Sequence, residues 1–468
     1  MRATSSTRGL AGLRSAAMLA AAAGALLPST GLAQARPMPE AAAGSRDRWW
    51  LVGGQATAVG LLVPRFHSPY DSPELSFGPG PTSGWSFVGS LLLGARLWQG
   101  ATVVVIPEYA NGRGAPNVSG VAGYPDGNII RVAKVGTAPY LARVFLHQDI
   151  ALGPPGKSEE EDEPEDRFAP TGPFALRRDR PTSRVEITAG KFATNDFFDL
   201  ADASSDPRHR FLNWALMQQG AWDYAADTRG YTWGLEVALE TPGHAVRAAW
   251  TLMPTTANGP TYDGNLANAG SLMVEGEARW RVPAGPGSAK LLGWVNRGLM
   301  GGYADALAAA PPGVAPAVDS VARRSALKYG AGLLVQQALG PVSGFLRAGW
   351  NDGRTETFCF TEIDRSLSAG ASVDGEAWGR DGDAVGLALA ASGLSPSHAA
   401  YLAAGGKGFQ LGDGGLSYAW ELVPEAFYAL RATRYLLVTA DVQALWNPGM
   451  NAARGPVVLA GLRLHAHL

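Results

Sequence analysis

Residues 436–448 read LLVTADVQALWNP, and after a short turn residues 456–468 read PVVLAGLRLHAHL. Every second residue in both segments is apolar, and most of the residues between them are polar. The apolar positions are Leu436, Val438, Ala440, Val442, Ala444 and Trp446, then Val458, Ala460, Leu462, Leu464, Ala466 and Leu468. Because strand side chains point to opposite faces with a period of two, the pattern predicts two strands with one apolar face each.

The length of these segments favours a membrane barrel over a soluble β-sandwich. A sandwich shows the same alternation, with its apolar face turned inward. A tilted membrane-crossing strand needs about 9–11 residues, and both segments supply that length. A chain that ends on the apolar face of such a strand is typical of outer-membrane barrels, although those usually end in an aromatic residue and this one ends in Leu468.

The first 35 residues are predicted to be a secretory signal. A basic start is followed by a short apolar run at 16–27 and by small residues at 31–35 that suit cleavage. That run is shorter than the ~20 residues a spanning helix needs. No later segment reaches 18 consecutive apolar residues. Residues 36–468, if they lie in a membrane, must therefore form a single closed barrel domain.

Composition excludes several other classes. The 468 residues carry a net charge of −2, which excludes the broad basic surface of a nucleic-acid binder. A single cysteine, Cys359, allows no internal disulfide, and we expect it to be buried. The chain also contains 60 glycines and 14 tryptophans, and only 17% of its residues are charged.

Alternating segments recur along the chain, about sixteen in all at roughly 27 residues per strand and loop, which suits an even-numbered bacterial barrel. They include Trp50–Val63, Phe87–Leu97, Ala101–Ile106, Tyr140–Ile150, Arg184–Gly190, Tyr231–Glu240, Val246–Leu252, Leu272–Val282, Lys328–Gln336, Ser343–Trp350, Asp383–Ala391 and Glu421–Arg431. The segment Leu272–Val282 discriminates best, because four charged residues alternate with apolar and aromatic ones. The sequence therefore predicts an all-β, transmembrane antiparallel barrel of 16 strands.

Aromatic residues and connection lengths fit the same architecture. The rings expected at the two membrane interfaces are Trp49, Trp50, Trp98, Trp250, Trp294, Trp350 and Trp446. Short connections at 99–100, 241–243 and 340–341 resemble periplasmic turns. Long ones at 111–128, 152–180, 192–228 and 302–324 are expected as extracellular or pore-inserted loops. An acidic run at 159–166 is typical of a solvated loop. The other interpretation of this run is a vestibule that attracts cations.

Several motifs, taken in order, resemble the OprB-type carbohydrate-selective porins of Gram-negative outer membranes. They stand at 122–127 (AGYPDG), 190–192 (GKF), 206–208 (DPR), 211–215 (FLNWA), 222–227 (WDYAAD), 229–234 (RGYTWG), 360–362 (FTE), 393–395 (GLS), 401–406 (YLAAGG), 412–414 (GDG), 447–448 (NP) and 454–457 (RGPV). The resemblance covers nearly the whole mature chain. It implies a sixteen-stranded barrel with a narrow eyelet that admits sugars by passive diffusion.

Sugar passage requires hydrogen-bonding groups and flat apolar surfaces along a narrow pore. The candidates for the pore lining in the loop after Phe192 are Asp196, Asp199, Asp206, Arg208, Arg210 and Trp214, although Asp206–Arg208 also suits a purely structural turn. The strand candidates, expected to face water in the lumen, are Glu236, Glu275, Glu277, Arg279 and Arg281.

No catalytic residue, metal site or cofactor is expected. The seven histidines are scattered without metal-ligand spacing. Ser395 and His398 are close in sequence, but neighbours in sequence do not make a catalytic triad in space.

Two other functions stay open. Porins that admit manganese resemble those that admit sugars across this family, and the carboxylates Asp196, Asp199, Asp202 and Asp206 suit a hard cation. An outer-membrane protein that binds polysaccharide is the other alternative. The expected partners are small sugars as solutes, outer-membrane lipid and the barrel assembly machinery, without nucleic acid, and the chain is expected as a monomer or a trimer.

Overall fold

The structure is a computed structural model. It describes residues 49–69, 77–115, 119–129, 136–153, 173–174, 176, 180–359 and 361–468. The expected signal at 1–35 and the acidic run at 159–166 lie outside the described residues, as does Phe360.

Sixteen strands form a closed barrel in which each strand pairs antiparallel with its sequence neighbours and β16 pairs with β1. The predicted fold class is therefore confirmed. The strands are β1 (Trp50–Val63), β2 (Thr82–Trp98), β3 (Ala101–Gly112), β4 (Tyr140–Ala151), β5 (Arg184–Phe192), β6 (Thr232–Glu240), β7 (His244–Thr251), β8 (Gly270–Val282), β9 (Gly285–Met300), β10 (Arg323–Leu339), β11 (Val342–Asn351), β12 (Arg365–Asp374), β13 (Ala384–Gly393), β14 (Glu421–Thr433), β15 (Leu436–Leu445) and β16 (Val457–His467).

The two C-terminal strands have the predicted faces. Along β15, Thr439 and Asp441 are buried inside the barrel, whereas Val442 is 48% exposed on the outer wall. Along β16, Arg463 is buried and Leu462 is 51% exposed. A barrel in a membrane turns its apolar face outward to lipid and its polar face inward, so this exposure is the reverse of a soluble core.

Two ends of the barrel can be distinguished because antiparallel strands turn alternately at one end and the other. At the short-turn end, six connections are brief, namely 99–100, 241–243, 283–284, 340–341, 375–383 and 434–435. At the long-loop end lie 64–81, 113–139, 193–231, 252–269, 301–322, 352–364, 394–420 and 446–456. The connection between β4 and β5, residues 152–183, was expected as an extracellular or pore-inserted loop, and it begins and ends at the short-turn end.

Two strands and one tryptophan differ from the sequence-based expectation. β9 and β12 were not located individually. In β9, Leu292 and Trp294 point inward together with Lys290 and Asn296, so polar and apolar residues share one face. β12 is made largely of small residues. Trp294 is 4% exposed and belongs to the interior, not to an interfacial belt. The rings of Trp50, Trp98, Trp250, Trp350 and Trp446 are exposed, as the belt requires.

Helices are few and short. The α-helices are α1 (Trp214–Met217), α2 (Tyr303–Ala309) and α3 (Pro396–Ala403). Among the described residues, none is long and apolar enough to cross a bilayer. All three lie in connections at the long-loop end, and the loop that carries α1 enters the barrel. This loop, residues 193–231, is called the crossing loop below.

Candidate functional site

The crossing loop is fastened to the barrel wall by a buried arginine on β11. The Arg347 guanidinium donates hydrogen bonds to the Asp199 carboxylate (3.1 Å), to the hydroxyls of Ser204 (2.6 Å) and Ser205 (2.9 Å), and to backbone oxygens of Asp199 (3.0 Å) and Leu216 (2.8 Å). Since Arg347 is 1% exposed, these bonds replace its lost hydration. The loop is therefore held at two points that are distant in sequence.

Carboxylates of the wall bind consecutive backbone N–H groups of the loops. Glu425 on β14 accepts hydrogen bonds from Leu212 (2.5 Å) and Asn213 (2.8 Å) of the crossing loop. Glu421 accepts them from Ala122 (2.8 Å) and Gly123 (3.1 Å) of the β3–β4 loop. Each of these two side chains binds two neighbouring N–H groups, so together they fasten both loops to β14.

On the opposite side of the lumen, a carboxylate on β3 gathers three hydroxyl groups. Glu108 is 5% exposed and accepts hydrogen bonds from Ser90 (2.9 Å), Tyr231 (3.0 Å) and Tyr140. Burial and the nearby Glu108 carboxylate raise the pKa of the Tyr231 phenol. That phenol therefore stays protonated and keeps donating to Glu108.

An ion pair extends this cluster. Arg143 on β4 holds the Asp196 carboxylate with two hydrogen bonds of 2.7 and 2.6 Å, which join its Nε and Nη2 to the two carboxylate oxygens. Its guanidinium carbon also lies 5.1 Å from the centre of the Tyr231 ring. A bidentate pair of this kind fixes orientation as well as charge. The start of the crossing loop is thereby fixed next to β4.

Arg208 of the crossing loop completes the cluster. Its backbone N–H donates to Asp206 Oδ1 (2.8 Å), and its guanidinium interacts electrostatically with Tyr231 and with His465 on β16. The residue is half-buried, and among the described residues its side chain forms none of the ion pairs that hold Arg143 and Arg347. We call Glu108, Tyr140, Arg143, Arg208 and Tyr231 the eyelet cluster.

The eyelet cluster offers the groups that a sugar needs. Tyrosine hydroxyls and an arginine donate hydrogen bonds, a carboxylate accepts them, and two phenol rings give flat apolar surfaces. A pyranose has polar edges and apolar faces, so it matches this mixture.

The structure brings some of the sequence-predicted loop residues to the lumen and takes others away from it. Asp206 is 42% exposed and lies 2.7 Å from His209 Nδ1, while Arg210 pairs with Asp374 at 3.2 Å. Asp196 and Asp199 are used in the ion pairs described above. Trp214 is 2% exposed and packs against Tyr124 and Tyr224, so a solute does not reach it in this conformation.

The sequence-predicted strand residues form a separate charged network on the β6–β9 wall. Arg247 lies 3.1 Å from Glu275 and 2.9 Å from Glu277, and Arg279 lies 2.9 Å from Glu277. The Glu275 carboxylate also accepts the N–H of Asp199 at 2.8 Å. Glu236 is buried on the same wall and Arg281 is exposed at the short-turn end. Arg247 and Arg279 share several carboxylates of this wall, and the network thus stabilises the wall around the loop.

Sequence reasoning missed four of the five eyelet residues. Three of them, Glu108, Tyr140 and Arg143, lie on β3 and β4, where polar and apolar residues both occupy inward positions. The fourth, Tyr231, precedes β6 by one residue. One feature of the sequence could have indicated such residues, namely a charged residue at an inward position of an otherwise apolar strand, as with Glu108 in β3. Only the path of the crossing loop through the lumen brings these inward residues together with Arg208.

Ser395, His398 and Asp364 come together, but as a helix cap. The Ser395 hydroxyl accepts the N–H of His398 (3.1 Å) at the start of α3 and donates to the Gly353 carbonyl (2.6 Å). His398 Nδ1 lies 3.0 Å from Asp364, and its ring stacks on Tyr303 at 4.3 Å. Both serine bonds serve loop packing, and the trio is fully buried.

One group among the described residues has metal-ligand spacing. His147, Asp149 and Glu186 present ligand atoms within 4.8 Å of one another on β4 and β5. Arg184 lies 2.8 Å from Glu186, and Arg180 also pairs with it. Two arginines beside the same carboxylates supply the positive charge that a metal ion would bring, so the group is an ion-pair network.

Comparisons with known proteins agree with this architecture. The family model described as "Carbohydrate-selective porin, OprB family" matches residues 91–468. The solved high-pH structure of OprB from Pseudomonas putida is 15% identical, with a TM-score of 0.66 over 90% of this chain and 94% of that one. A loop L8 deletion mutant of OmpT from Vibrio cholerae is 9% identical, with a TM-score of 0.45 over 90% and 100%.

Among curated proteins, no sequence match was found. The family match spans most of the barrel, and porins of this kind are channels of the Gram-negative outer membrane rather than enzymes. The chain therefore belongs to the OprB family of carbohydrate-selective porins.

Proposed function

We propose that this porin selects small sugars at the eyelet cluster, where the half-buried Arg208 side chain faces hydroxyl and carboxylate groups of the opposite wall. The proposal rests on which arginines of the lumen form ion pairs with carboxylates and which one does not. Arg143 and Arg347 are held by carboxylates of the crossing loop, whereas the Arg208 side chain has no such partner among the described residues. Its N–H groups are available to the hydroxyls of a passing sugar.

Selectivity follows from width and from hydrogen bonding. The crossing loop is fixed to β8, β11 and β14 by Asp199, Leu212 and Asn213, so it occupies part of the lumen. A solute in that space loses part of its hydration, and the eyelet cluster replaces it. Solutes that present many hydroxyls are favoured over apolar solutes of equal size.

The manganese alternative has less support from the geometry. Of its four carboxylates, Asp196 lies 2.6 Å from Arg143, Asp199 lies 3.1 Å from Arg347, and Asp206 lies 2.7 Å from His209. Carboxylates that already bind basic side chains are poor ligands for a hard cation. An outer-membrane protein that only binds polysaccharide would not need a lumen lined in this way.

Liposome swelling tests the proposal. Liposomes that contain the purified porin are placed in isotonic solutions of glucose, maltose and maltotriose, and of MnCl2 at matched osmolarity. We expect swelling rates that fall with sugar size, faster for glucose than for an equally large solute with few hydroxyls. Swelling by MnCl2 but not by glucose would favour the manganese porin, and no swelling at all would favour a binding protein.

The remaining partners belong to the same proposal. Outer-membrane lipid contacts the apolar outer wall, the barrel assembly machinery inserts the chain, and the barrel acts as a monomer or a trimer. Lipid contact is supported by the exposed leucines and valines of the outer wall, such as Leu387 (66% exposed) and Leu291 (63%).

A further inference from the structure

The outer wall of the barrel carries few charges, and those that it carries lie at one end. By strand register, the lysines and arginines that face outward from the described strands are Lys191 on β5, Arg297 on β9 and Arg365 on β12. No aspartate or glutamate of these strands faces outward. Arg323 and Arg324 precede a bulge of β10 at the same end. All five lie next to connections at the long-loop end, which is the extracellular side of a bacterial barrel.

The outward basic residues differ in whether the chain itself supplies a partner. The Lys191 ammonium donates to the Leu141 carbonyl at 3.0 Å and lies 3.7 Å from the Asp227 carboxylate. Arg297 is exposed, and its guanidinium forms no hydrogen bond or ion pair with the described residues. An unpaired cation on the lipid face of a barrel is tolerated near the headgroups, where it meets water or an anion. Arg297 is therefore free to bind an anion at the level of the headgroups.

Arg365 is held in one orientation and keeps free donors. Its Nη1 donates to the carbonyls of Asn351 (2.5 Å) and Asp364 (2.7 Å), and its guanidinium carbon lies 5.4 Å from the centre of the Trp350 ring. Its Nε and Nη2 groups form no hydrogen bond with the described residues. Arginine stacks on aromatic rings and binds phosphate with two parallel hydrogen bonds. The fixed guanidinium is therefore oriented in advance for an anion.

Three outward side chains connect these two arginines across β9 to β12. Leu327 on β10 stands directly opposite Arg297, and Tyr329 on the same strand packs edge-on against Trp350 on β11, with 5.9 Å between the ring centres. These three side chains are 53%, 43% and 41% exposed. Tyrosine and tryptophan are typical of the headgroup level of a membrane. We call Arg297, Leu327, Tyr329, Trp350 and Arg365 the outer basic patch.

Acidic residues near the outer basic patch interact with other cations. Asp305 lies 3.1 Å from Arg323, and the Asp352 carboxylate interacts electrostatically with Lys328 and Arg354. Among the described residues, no carboxylate forms an ion pair with either arginine of the patch. The patch therefore combines a net positive charge with an apolar and aromatic surface.

We propose that the outer basic patch binds a phosphate-bearing glycolipid of the outer leaflet. The two arginines bind phosphate groups of its headgroup, and Leu327, Tyr329 and Trp350 contact its sugar rings and acyl chains. Charge complementarity selects this occupant, because a neutral lipid offers the arginines no anion. The inference requires the barrel to lie in the outer membrane but does not require a sugar as its solute. It can therefore fail while the proposed function stands, and the reverse.

Native mass spectrometry of the purified porin in detergent tests this site, with diphosphoryl lipid A as the probe. We expect Arg297→Gln and Arg365→Gln each to raise the dissociation constant about fivefold, because a basic residue at an anionic lipid surface contributes about 1 kcal/mol. The two residues are three strand spacings apart, about 14 Å, so their effects should add and the double variant should show about a 25-fold rise.

Arg434→Gln is the matched control. Arg434 also stacks on an aromatic ring, with 4.4 Å between its guanidinium carbon and the centre of the Tyr435 ring, but it lies in a turn at the short-turn end. This variant should keep the wild-type dissociation constant for diphosphoryl lipid A. A rise as large as that for Arg297→Gln would show that any exposed arginine binds the probe, which overturns the proposal.

A second probe, lipid A that lacks both phosphates, separates the remaining outcomes. It should bind the wild type about as weakly as the diphosphoryl form binds the double variant. Equal binding of both probes to the wild type would show that the apolar wall alone holds the lipid, which refutes the proposal. A variant that changes the number of chains per particle would make the patch an interface between copies, which also refutes it. If Arg365→Gln alters the single-channel conductance, Arg297→Gln, which breaks no hydrogen bond, and the second probe decide the outcome.

Discussion

The arginines inside the barrel differ in the hydrogen bonds and ion pairs that their side chains form, and we infer their roles from this difference. Arg347 makes five hydrogen bonds to the crossing loop, and Arg463 on β16 donates to the carbonyls of Pro207 (2.6 Å) and Arg210 (2.9 Å). Both are 1% exposed. Arg208, by contrast, is half-buried, and its side chain forms no ion pair among the described residues. The first two therefore hold the loop, whereas Arg208 is the residue that we propose for contact with a solute.

Arg208→Ala is expected to weaken sugar block of the current about 10- to 150-fold, because a hydrogen bond from a charged donor contributes about 1.5–3 kcal/mol. Barrel assembly should not change, since the side chain forms no ion pair with the described residues. The measurement is the dissociation constant for glucose and maltose in planar bilayers, beside liposome-swelling rates for several sugars. Arg323→Ala is the control, because Arg323 is 72% exposed at the long-loop end. Unchanged sugar constants and swelling rates would remove Arg208 from the eyelet.

At the residue scale, the sequence located Arg208 but not its surroundings. The Asp206–Arg208 motif placed a cation in a long loop, and the loop does enter the lumen. Trp214 in the same loop was expected to line the pore, but its ring is enclosed between Tyr124 and Tyr224. A loop has no periodicity from which burial can be read, so only contacts distant in sequence separate these two residues.

The crossing loop is the element that turns an open barrel into a selective one. It meets β8, β11, β14 and β16 through hydrogen bonds to wall side chains. Most of these bonds join a charged side chain to backbone groups, which leaves the loop little freedom. Losing one such fastening should therefore change the channel without unfolding the barrel.

Arg347→Met should release the crossing loop, because removing one partner of a buried ion pair costs about 3–5 kcal/mol and leaves the Asp199 carboxylate unpaired. We expect a larger single-channel conductance, weaker discrimination among sugars and faster proteolysis within 193–231. The double variant with Asp199→Asn should recover part of the wild-type conductance and protease resistance, because the unpaired carboxylate at position 199 is then absent. If conductance and proteolysis matched the wild type, the crossing loop would not depend on Arg347.

The β3–β4 loop adds a dependence on pH. Asp126 is 1% exposed, and burial raises its pKa from 3.8 to about 6, although the Ser86 hydroxyl (2.6 Å) and the N–H of Asn128 (3.2 Å) oppose this rise. The folded protein therefore holds the proton more tightly than the unfolded chain. The resulting stabilisation, about 3 kcal/mol, is complete below about pH 4 and is lost as the pH rises through about 6.

Replacing Asp126 with asparagine should abolish this contribution, because the amide does not titrate. The melting temperature in detergent, measured from pH 4 to pH 7, should fall less steeply with rising pH in the variant than in the wild type. Asp263→Asn in the exposed β7–β8 loop provides a control that keeps the wild-type slope. Equal slopes in the wild type and Asp126→Asn would show that this carboxyl does not titrate in that range.

For the whole molecule, period-two alternation was sufficient to predict the barrel. Charged residues alternate with apolar ones in β8, and the same rule assigned both faces of β15 and β16. The rule did not locate β9, whose inward face carries Trp294. It did not locate β12 either, because its small side chains give little difference in polarity between the two faces. The β4–β5 connection could not be placed from its length, because either end of a barrel can carry a long loop.

The central claim is that hydrocarbon surrounds the wall while water fills the lumen, and spin labels in lipid vesicles test it most directly. Leu387 on β13 and Asp202 in the crossing loop are both exposed, so a label fits at each position. With Cys359, which is buried, replaced by alanine, single labels are introduced at Leu387 and at Asp202. Collisions with oxygen and with a neutral nickel chelate are then compared. We predict that the label at 387 collides more often with oxygen than with the chelate, and that the label at 202 collides more often with the chelate. Equal access of the nickel chelate to both labels would contradict the account.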